Sequence, residues 1–276
     1  MNTRKSTVEG KFYPSTKDGI LDQIREIESR NRYPAVNLQP TRIFGAVLPH
    51  AGHIYSGYQT VPFFQLIRRL NMFPDTFVIV HPNHTGYGIS LAIDDAEVWT
   101  NSIGEVPVDL ELAMAMDLPF DRKAHAHEHS AEVIIPFLQF YLTDHPFSIV
   151  PVCMRDQGFQ TAGQVSEKIL GAARQTGRNI MILASCDFSH FLSPETGSER
   201  DQLVINEILS RNIRGVEEAV RRHQVSVCGY GPIMVLMSYA GSLDPGYRTE
   251  ILARGNSGEV IPSREVVDYI SLIIYQ

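Results

Sequence analysis

The sequence predicts an α/β protein: a single domain over residues 1–276 with a central mixed, largely parallel sheet flanked by helices. Three observations carry this expectation. Uninterrupted apolar runs at residues 43–48, 76–80 and 179–184 have the length and composition of strands buried on both faces. Between such runs lie longer stretches with helical apolar spacing, and strands that alternate with helices build a sheet covered on both sides. No internal repeat, low-complexity tract or Pro/Gly-rich linker divides the chain.

Taken in order, residues 17–30 set Ile20, Leu21, Ile24 and Ile27 at helical spacing, and residues 31–41 read as a loop. The first buried strand, 43–48, breaks at Pro49-His50-Ala51-Gly52, and an amphipathic helix follows over 58–70. The second strand, 76–80, runs into His81-Pro82-Asn83-His84-Thr85-Gly86. Short alternating pieces between 89 and 108, such as Ala96-Glu97-Val98-Trp99, predict a strand or hairpin excursion. Residues 109–116 read as helix. His125 to Ser130 reads as a polar loop, with Ser130 as the N-cap of a helix reaching about Tyr141 and Pro136 kinking it. A strand over 147–153, a helix over 161–175 and the strand 179–184 follow. Helices are expected over 195–211, 215–223 and, apolar enough to be buried, 229–239, with Cys228 at its entrance. Strands over 247–253 and 266–275 close the chain.

Composition narrows the function classes. With 43% hydrophobic and 20% charged residues the chain is an ordinary globular protein, and a net charge of −7 argues against nonspecific binding of nucleic acid or acidic membranes. Three cysteines, odd in number and far apart, argue against a disulfide framework. The N-terminus lacks the apolar stretch of a signal peptide, and no apolar run approaches the roughly 20 residues that span a bilayer. A reducing cytoplasm is the expected location, where a free thiolate is available as a ligand. Walker-type, Gly-x-Ser-x-Gly and His-Glu-x-x-His motifs are absent, as are zinc-finger Cys pairs and an Asp/Glu-rich magnesium cluster.

The chemistry-bearing residues gather where strands end, which in open α/β sheets is where ligands bind. His50 and His84 follow the first two strands; imidazole is the commonest metal ligand near neutral pH, although a hydrogen-bonded turn histidine is the plain alternative for either. His53 and His81 lie nearby and read as supporting a ligand from behind or as structural, rather than as ligands themselves. Cys228 precedes a helix, whose N-terminal partial charge favours thiolate, while a buried core thiol is its alternative reading. Cys153 has that core reading, and Cys186, beside the Asp187 turn, is intermediate. Asp187 precedes His190 by three residues; the carboxylate reads as orienting a general base, as supporting a metal ligand, or as capping a turn. The segment His125-Ala126-His127-Glu128-His129-Ser130 would present alternating histidines on one face of an extended loop, or simply a solvated loop.

The ordered set Gly10-x-Phe12-Tyr13-Pro14, Pro49-His50-Ala51-Gly52, Pro82-Asn83-His84-x-Gly86, His125-x-x-Glu128-His129-Ser130-x-Glu132, Asp187-Phe188-Ser189-His190 and Cys228-Gly229 resembles the Memo family, also called AmmeMemoRadiSam system protein B. The match extends to Asn256-Ser257-Gly258-Glu259 and Val266-Val267-Asp268-Tyr269, and so covers nearly the whole chain. The resemblance implies a fold similar to class III extradiol-type non-haem iron dioxygenases. It implies His50, His84 and Cys228 as metal ligands, with Cys228 where the dioxygenases carry a carboxylate, and Asp187 and His190 in the same pocket, His190 as the acid–base residue. It also implies iron or copper as cofactor, with zinc compatible, and a functional link to a radical-SAM protein and an AMMECR1-like protein. Animal relatives are described as signalling proteins that bind phosphotyrosine-containing receptor segments. This sequence departs from the family pattern at His53, at His81, where Gly is more common, and at Cys186, a position often held by Ser.

A metal-dependent oxidoreductase is therefore the expected function. A binding or scaffold protein, or one that sequesters metal in the same cleft without turnover, is the alternative; a zinc hydrolase using one cysteine, two histidines and a bound water is a third. The ligand would be a small molecule or a peptide.

Overall fold

Apolar runs too short for helices and too continuous for half-exposed strands form the frame of the sheet. In the computed structural model, which describes residues 2–276, strand β1 (Thr3–Lys5) precedes helix α1 (Lys17–Ser29), whose N-cap Thr16 hydroxyl accepts from Gly19 N–H at 3.2 Å. Strand β2 (Ile43–Leu48) feeds helix α2 (His53–Leu70), and strand β3 (Thr76–Pro82) follows. Strands β4 (Leu91–Ile93), β5 (Val98–Thr100) and β6 (Glu105–Pro107) fill the predicted excursion. Helices α3 (Leu110–Ala115), α4 (Arg122–His125) and α5 (Ile135–Tyr141) lead to strand β7 (Ser148–Met154), helix α6 (Phe159–Thr176) and strand β8 (Ile180–Ser185). The chain ends with strand β9 (His190–Leu192), helices α7 (Pro194–Leu209), α8 (Ile213–His223) and α9 (Tyr230–Leu243), and strands β10 (Arg248–Asn256) and β11 (Val266–Tyr275).

The main sheet runs β10-β11-β2-β8-β3-β7-β4, with β9 attached to β11. Its inner strands β2, β8, β3 and β7 are mutually parallel, whereas β4 and β11 flank them antiparallel. The sheet is thus mixed with a parallel centre, as the apolar runs predict. Every residue of β2, β3 and β8 is buried. Helices α1, α2 and α5 cover one face, and α3, α6, α7, α8 and α9 the other. Each fully buried aliphatic side chain in these two layers contributes about 2 kcal/mol. A small separate sheet, β1-β5-β6, joins the N-terminus to the excursion.

Four local expectations change. Helix α2 starts at His53 rather than near Tyr58, because His53, Ser56 and Gln59 are buried and conceal the amphipathic pattern. Ser130 caps no helix: a 3-10 turn over Glu132–Ile134 intervenes before α5, and the Ser130 hydroxyl lies 2.8 Å from Glu128 Oε1 and 3.1 Å from Pro82 O. Pro136 produces no kink, since it lies in the first turn of α5, where its missing N–H has no partner to lose. The polar loop at 125–130 is in part a helical turn, α4, with His125 and Glu128 buried and His127 exposed, so its histidines share no face.

Candidate metal centre

The four parallel strands end on one side of the sheet, and the side chains singled out by the sequence collect there. His50 follows β2, Cys186 and Asp187 follow β8, His84 follows β3, and Cys228 leads into α9. The His50 backbone N–H donates to Asp187 Oδ1 at 2.8 Å, which fixes the turn after β2 against the turn after β8. His50 Nδ1 lies 2.7 Å from Ser185 Oγ, and that hydroxyl donates to Ser130 O at 2.6 Å. With its proton so committed, Ser185 Oγ accepts from Nδ1–H, and His50 presents an unprotonated Nε2 to Cys228 Sγ at 3.2 Å.

His84 is held in a similar way. Its Nδ1 lies 2.9 Å from Glu128 Oε1, and its backbone N–H donates to Glu128 Oε2 at 2.6 Å. The same Oε1 accepts from His129 N–H at 3.0 Å and Ser130 N–H at 3.1 Å. Glu128 is 1% exposed, so these donors, with the Ser130 hydroxyl at 2.8 Å, stand in for water around its charge. Two donor groups result, each with ligand atoms within 4.8 Å of one another: His50, His84 and Cys228, and His84, Glu128 and His129. The first fits a metal ion in chemistry as well as spacing. It combines two imidazoles with a thiolate, whereas the Glu128 oxygens of the second are occupied by hydrogen bonds.

Electrostatics favour a charged centre. Burial opposes ionisation of Cys228, but contact with the Cys186 thiol and with the His50 and His84 rings outweighs it and holds Cys228 far below the usual thiol range. Burial would lower His84 too, yet its contacts with Cys228 and Glu128 raise it to about 10. His50 is raised despite burial by the charges of Cys228 and Asp187. Glu128, although buried, is held below the usual carboxylate range by His84 and the neighbouring histidines. His129 falls to about 3, chiefly through burial and also through the neighbouring His50 ring, and stays neutral.

The remaining candidates divide. Asp187 reaches the centre, with Oδ2 4.0 Å from His50 Nε2. His190 stands apart on β9, where its Nδ1 donates to Ser226 O at 2.9 Å and its backbone N–H to Ser226 Oγ at 2.8 Å. Ser226, not Asp187, therefore orients the His190 ring, and the expected Asp187–His190 pairing gives way to an Asp187–His50 one. His53 and His81 lie in the core: His53 bonds Val133 O at 2.9 Å, and His81 lies within β3, bonded to Ser130 Oγ at 3.0 Å and His125 Nδ1 at 3.3 Å. Burial lowers both to about 4, so they stay neutral. Cys153 is a buried core thiol.

Sequence reasoning passed over three supports. Ser185 fixes the His50 ring, and the Ser130 carbonyl takes the Ser185 proton. Arg4, on β1, donates to His125 O, Glu128 O and Glu132 Oε2, pinning the segment that carries Glu128. The Glu132 in the quoted motif was a visible signal; a lone Arg near the N-terminus was not.

Comparison with known proteins shows the family and the fold. The family model described as Memo-like protein matches residues 4–273. A MEMO1 family protein of Archaeoglobus fulgidus is 40% identical over 275 residues, covering 98% of each chain. One from Methanosarcina mazei is 35% identical over 278 residues, covering 99% of this chain and all of its own. One from Methanocaldococcus jannaschii is 33% identical, covering 98% of each. Among solved structures, an uncharacterized protein of Escherichia coli K12 superposes with a TM-score of 0.56 at 13% identity, over 84% of this chain and 99% of its own, a likeness of fold. Among the described residues no helix is long and apolar enough to cross a membrane. Matched by the family model over residues 4–273 and 40% identical to a relative over 98% of its length, the chain belongs to the Memo family.

Proposed function

We propose that this is a metal-dependent redox protein in which His50, His84 and Cys228 hold iron or copper, zinc being compatible with the same donors. One observation carries the reading: each imidazole has Nδ1 committed to a buried acceptor, Ser185 Oγ or Glu128 Oε1, which leaves its Nε2 as the ligand atom beside the Cys228 sulfur. When bound, such a metal supplies one-electron chemistry and an electrophilic position for a small-molecule or peptide ligand. The chain's own residues do the rest. Ser185 and Glu128 keep the rings in place, and Asp187 holds the His50 backbone. His190, partly exposed and with its Nδ1 proton engaged by Ser226, offers Nε2 as a proton acceptor.

Metal content of protein purified without oxygen tests the ligand set. His50→Ala, His84→Ala and Cys228→Ala are each expected to lose metal, and wild-type content in all three would refute the assignment. Oxygen uptake by the iron- or copper-loaded protein, offered catechols and reductants, reports turnover; a flat trace supports metal holding or ligand binding without turnover. His190→Ala is expected to keep its metal and lose turnover, and full activity there would remove its acid–base role.

A further inference from the structure

Cys186 and Cys228 come from separate parts of the chain, the end of β8 and the entrance to α9, and meet at one backbone atom. The Asp187 carbonyl oxygen lies 3.2 Å from Cys186 Sγ and 3.4 Å from Cys228 Sγ. Gly229 N–H, next to Cys228, donates to Cys186 Sγ at 3.2 Å. Only glycine permits so close an approach, because a Cβ at 229 would lie 2.2 Å from Ser185 O and 2.7 Å from Cys186 Cβ. Cys186 belongs to neither donor group able to share a metal ion, so its sulfur stands beside the centre rather than in it. Solvent reaches Cys228 in part and Cys186 not at all. A partly exposed cysteine backed by a fully buried second one is an arrangement in which an oxidised thiol can be resolved before it is over-oxidised.

We propose that Cys186 and Cys228 form a redox-active dithiol, a reversible disulfide site whose oxidant is a hydroperoxide. The Cys228 sulfur attacks the peroxide, the O–O bond breaks, and Cys228 becomes a sulfenic acid while one water (or alcohol) leaves. The Cys186 sulfur then attacks Cys228 sulfur; the S–S bond forms, the S–O bond breaks, and hydroxide departs as water with the Cys186 thiol proton. Each sulfur gives up one electron, and the peroxide takes both. A thiol reductant reverses the bond. The disulfide occupies the Cys228 sulfur, so oxidation withdraws one metal donor; this consequence alone rests on the ligand assignment proposed above.

The test uses the full chain, freed of metal with a chelator and treated under native conditions with hydrogen peroxide. Two of the three free thiols are expected to disappear, the intact mass to fall by two hydrogens, and digestion to yield a peptide joining Cys186 to Cys228. Dithiothreitol is expected to reverse all three changes, and Cys153 to remain a thiol throughout. In Cys186→Ser, Cys228 is expected to gain oxygen atoms instead. Wild-type protein that gains oxygen at Cys228 without the cross-link, as that variant does, would overturn the dithiol and leave the ligand assignment standing. Cross-linked protein is expected to lose metal uptake and regain it on reduction. Cross-linked protein that binds metal as the reduced form does would refute Cys228 as a ligand and leave the dithiol standing.

Discussion

Replacing Glu128 by Gln changes one atom and removes one charge at the point where most of the ring-positioning contacts meet. Glu128 Oε1 is approached by His84 Nδ1 at 2.9 Å, Ser130 Oγ at 2.8 Å, His129 N at 3.0 Å and Ser130 N at 3.1 Å, while Oε2 accepts from His84 N at 2.6 Å. An amide keeps one acceptor oxygen and turns an NH2 group toward a donor on the other side, so at least one buried N–H faces a donor in either flip. Hydrogen bonds to a charged group contribute about 1.5–3 kcal/mol each, and leaving one unmade costs a similar amount. The variant should therefore lose roughly 2 kcal/mol of stability, a fall in Tm of about 3–4 °C for a chain of this size. The His84 ring, no longer held through Nδ1, should bind metal on the order of 10–100-fold more weakly. Anaerobic competition against a chromogenic chelator measures the affinity, and circular dichroism reports the fold. A folded Glu128→Gln protein with wild-type metal affinity would refute the argument that Glu128 prepares His84 as a ligand.

Three further expectations follow from the same geometry. Gly229→Ala forces a Cβ against Ser185 O and should destabilise the fold by about 1–3 kcal/mol in urea unfolding; a wild-type midpoint would show that the two turns can separate. Arg4→Met leaves the Glu132 carboxylate buried without its cation and should cost about 3 kcal/mol in urea unfolding; a change within about 0.5 kcal/mol would mean that the Thr7, Val8 and Tyr13 donors suffice. Asp201 and Asp268 each bury an Oδ2 that meets no donor among the described residues, and Asp268 is raised from 3.8 to about 8 by burial and by the Asp201 charge. A folded-state pKa above the unfolded one stabilises fully below the unfolded value and is lost as pH rises through the folded value, so stability should fall by a few kcal/mol between about pH 4 and pH 8. Asp268→Asn should flatten that slope in unfolding curves taken across the range, and an unaltered slope would exclude the pair as its cause.

The sheet was legible because its central strands are buried on both faces, which writes continuous apolar runs at 43–48, 76–80 and 179–184 into the sequence. Helices with one wet face, such as α6 and α8, were legible from periodicity for the same reason. The three-residue strands β1 and β9 were not, since three residues show no period and their pairing comes from β5 and β11. The start of α2 was missed because its first turns bury polar side chains against distant partners, as when His53 bonds Val133 O. Ser130 was misread because a hydroxyl before an apolar run looks like a cap, whereas its actual partners are Glu128, Pro82 and His81.

The candidate site divides along the same line. Residue types at strand ends, and the order of six short motifs, single out His50, His84 and Cys228, which the structure brings together, and Asp187, which reaches them, whereas His190 stands apart. The sequence could not say that Ser185 sets the His50 tautomer, that Ser226 rather than Asp187 holds His190, or that Cys186 faces Cys228. Apolar periodicity and turn chemistry are local, and a single chain displays them directly. The partners that prepare the His50 ring lie 135 and 178 residues away, and only the close approach of the turns after β2 and β8 and before α9, at a position that tolerates no side chain, brings them together.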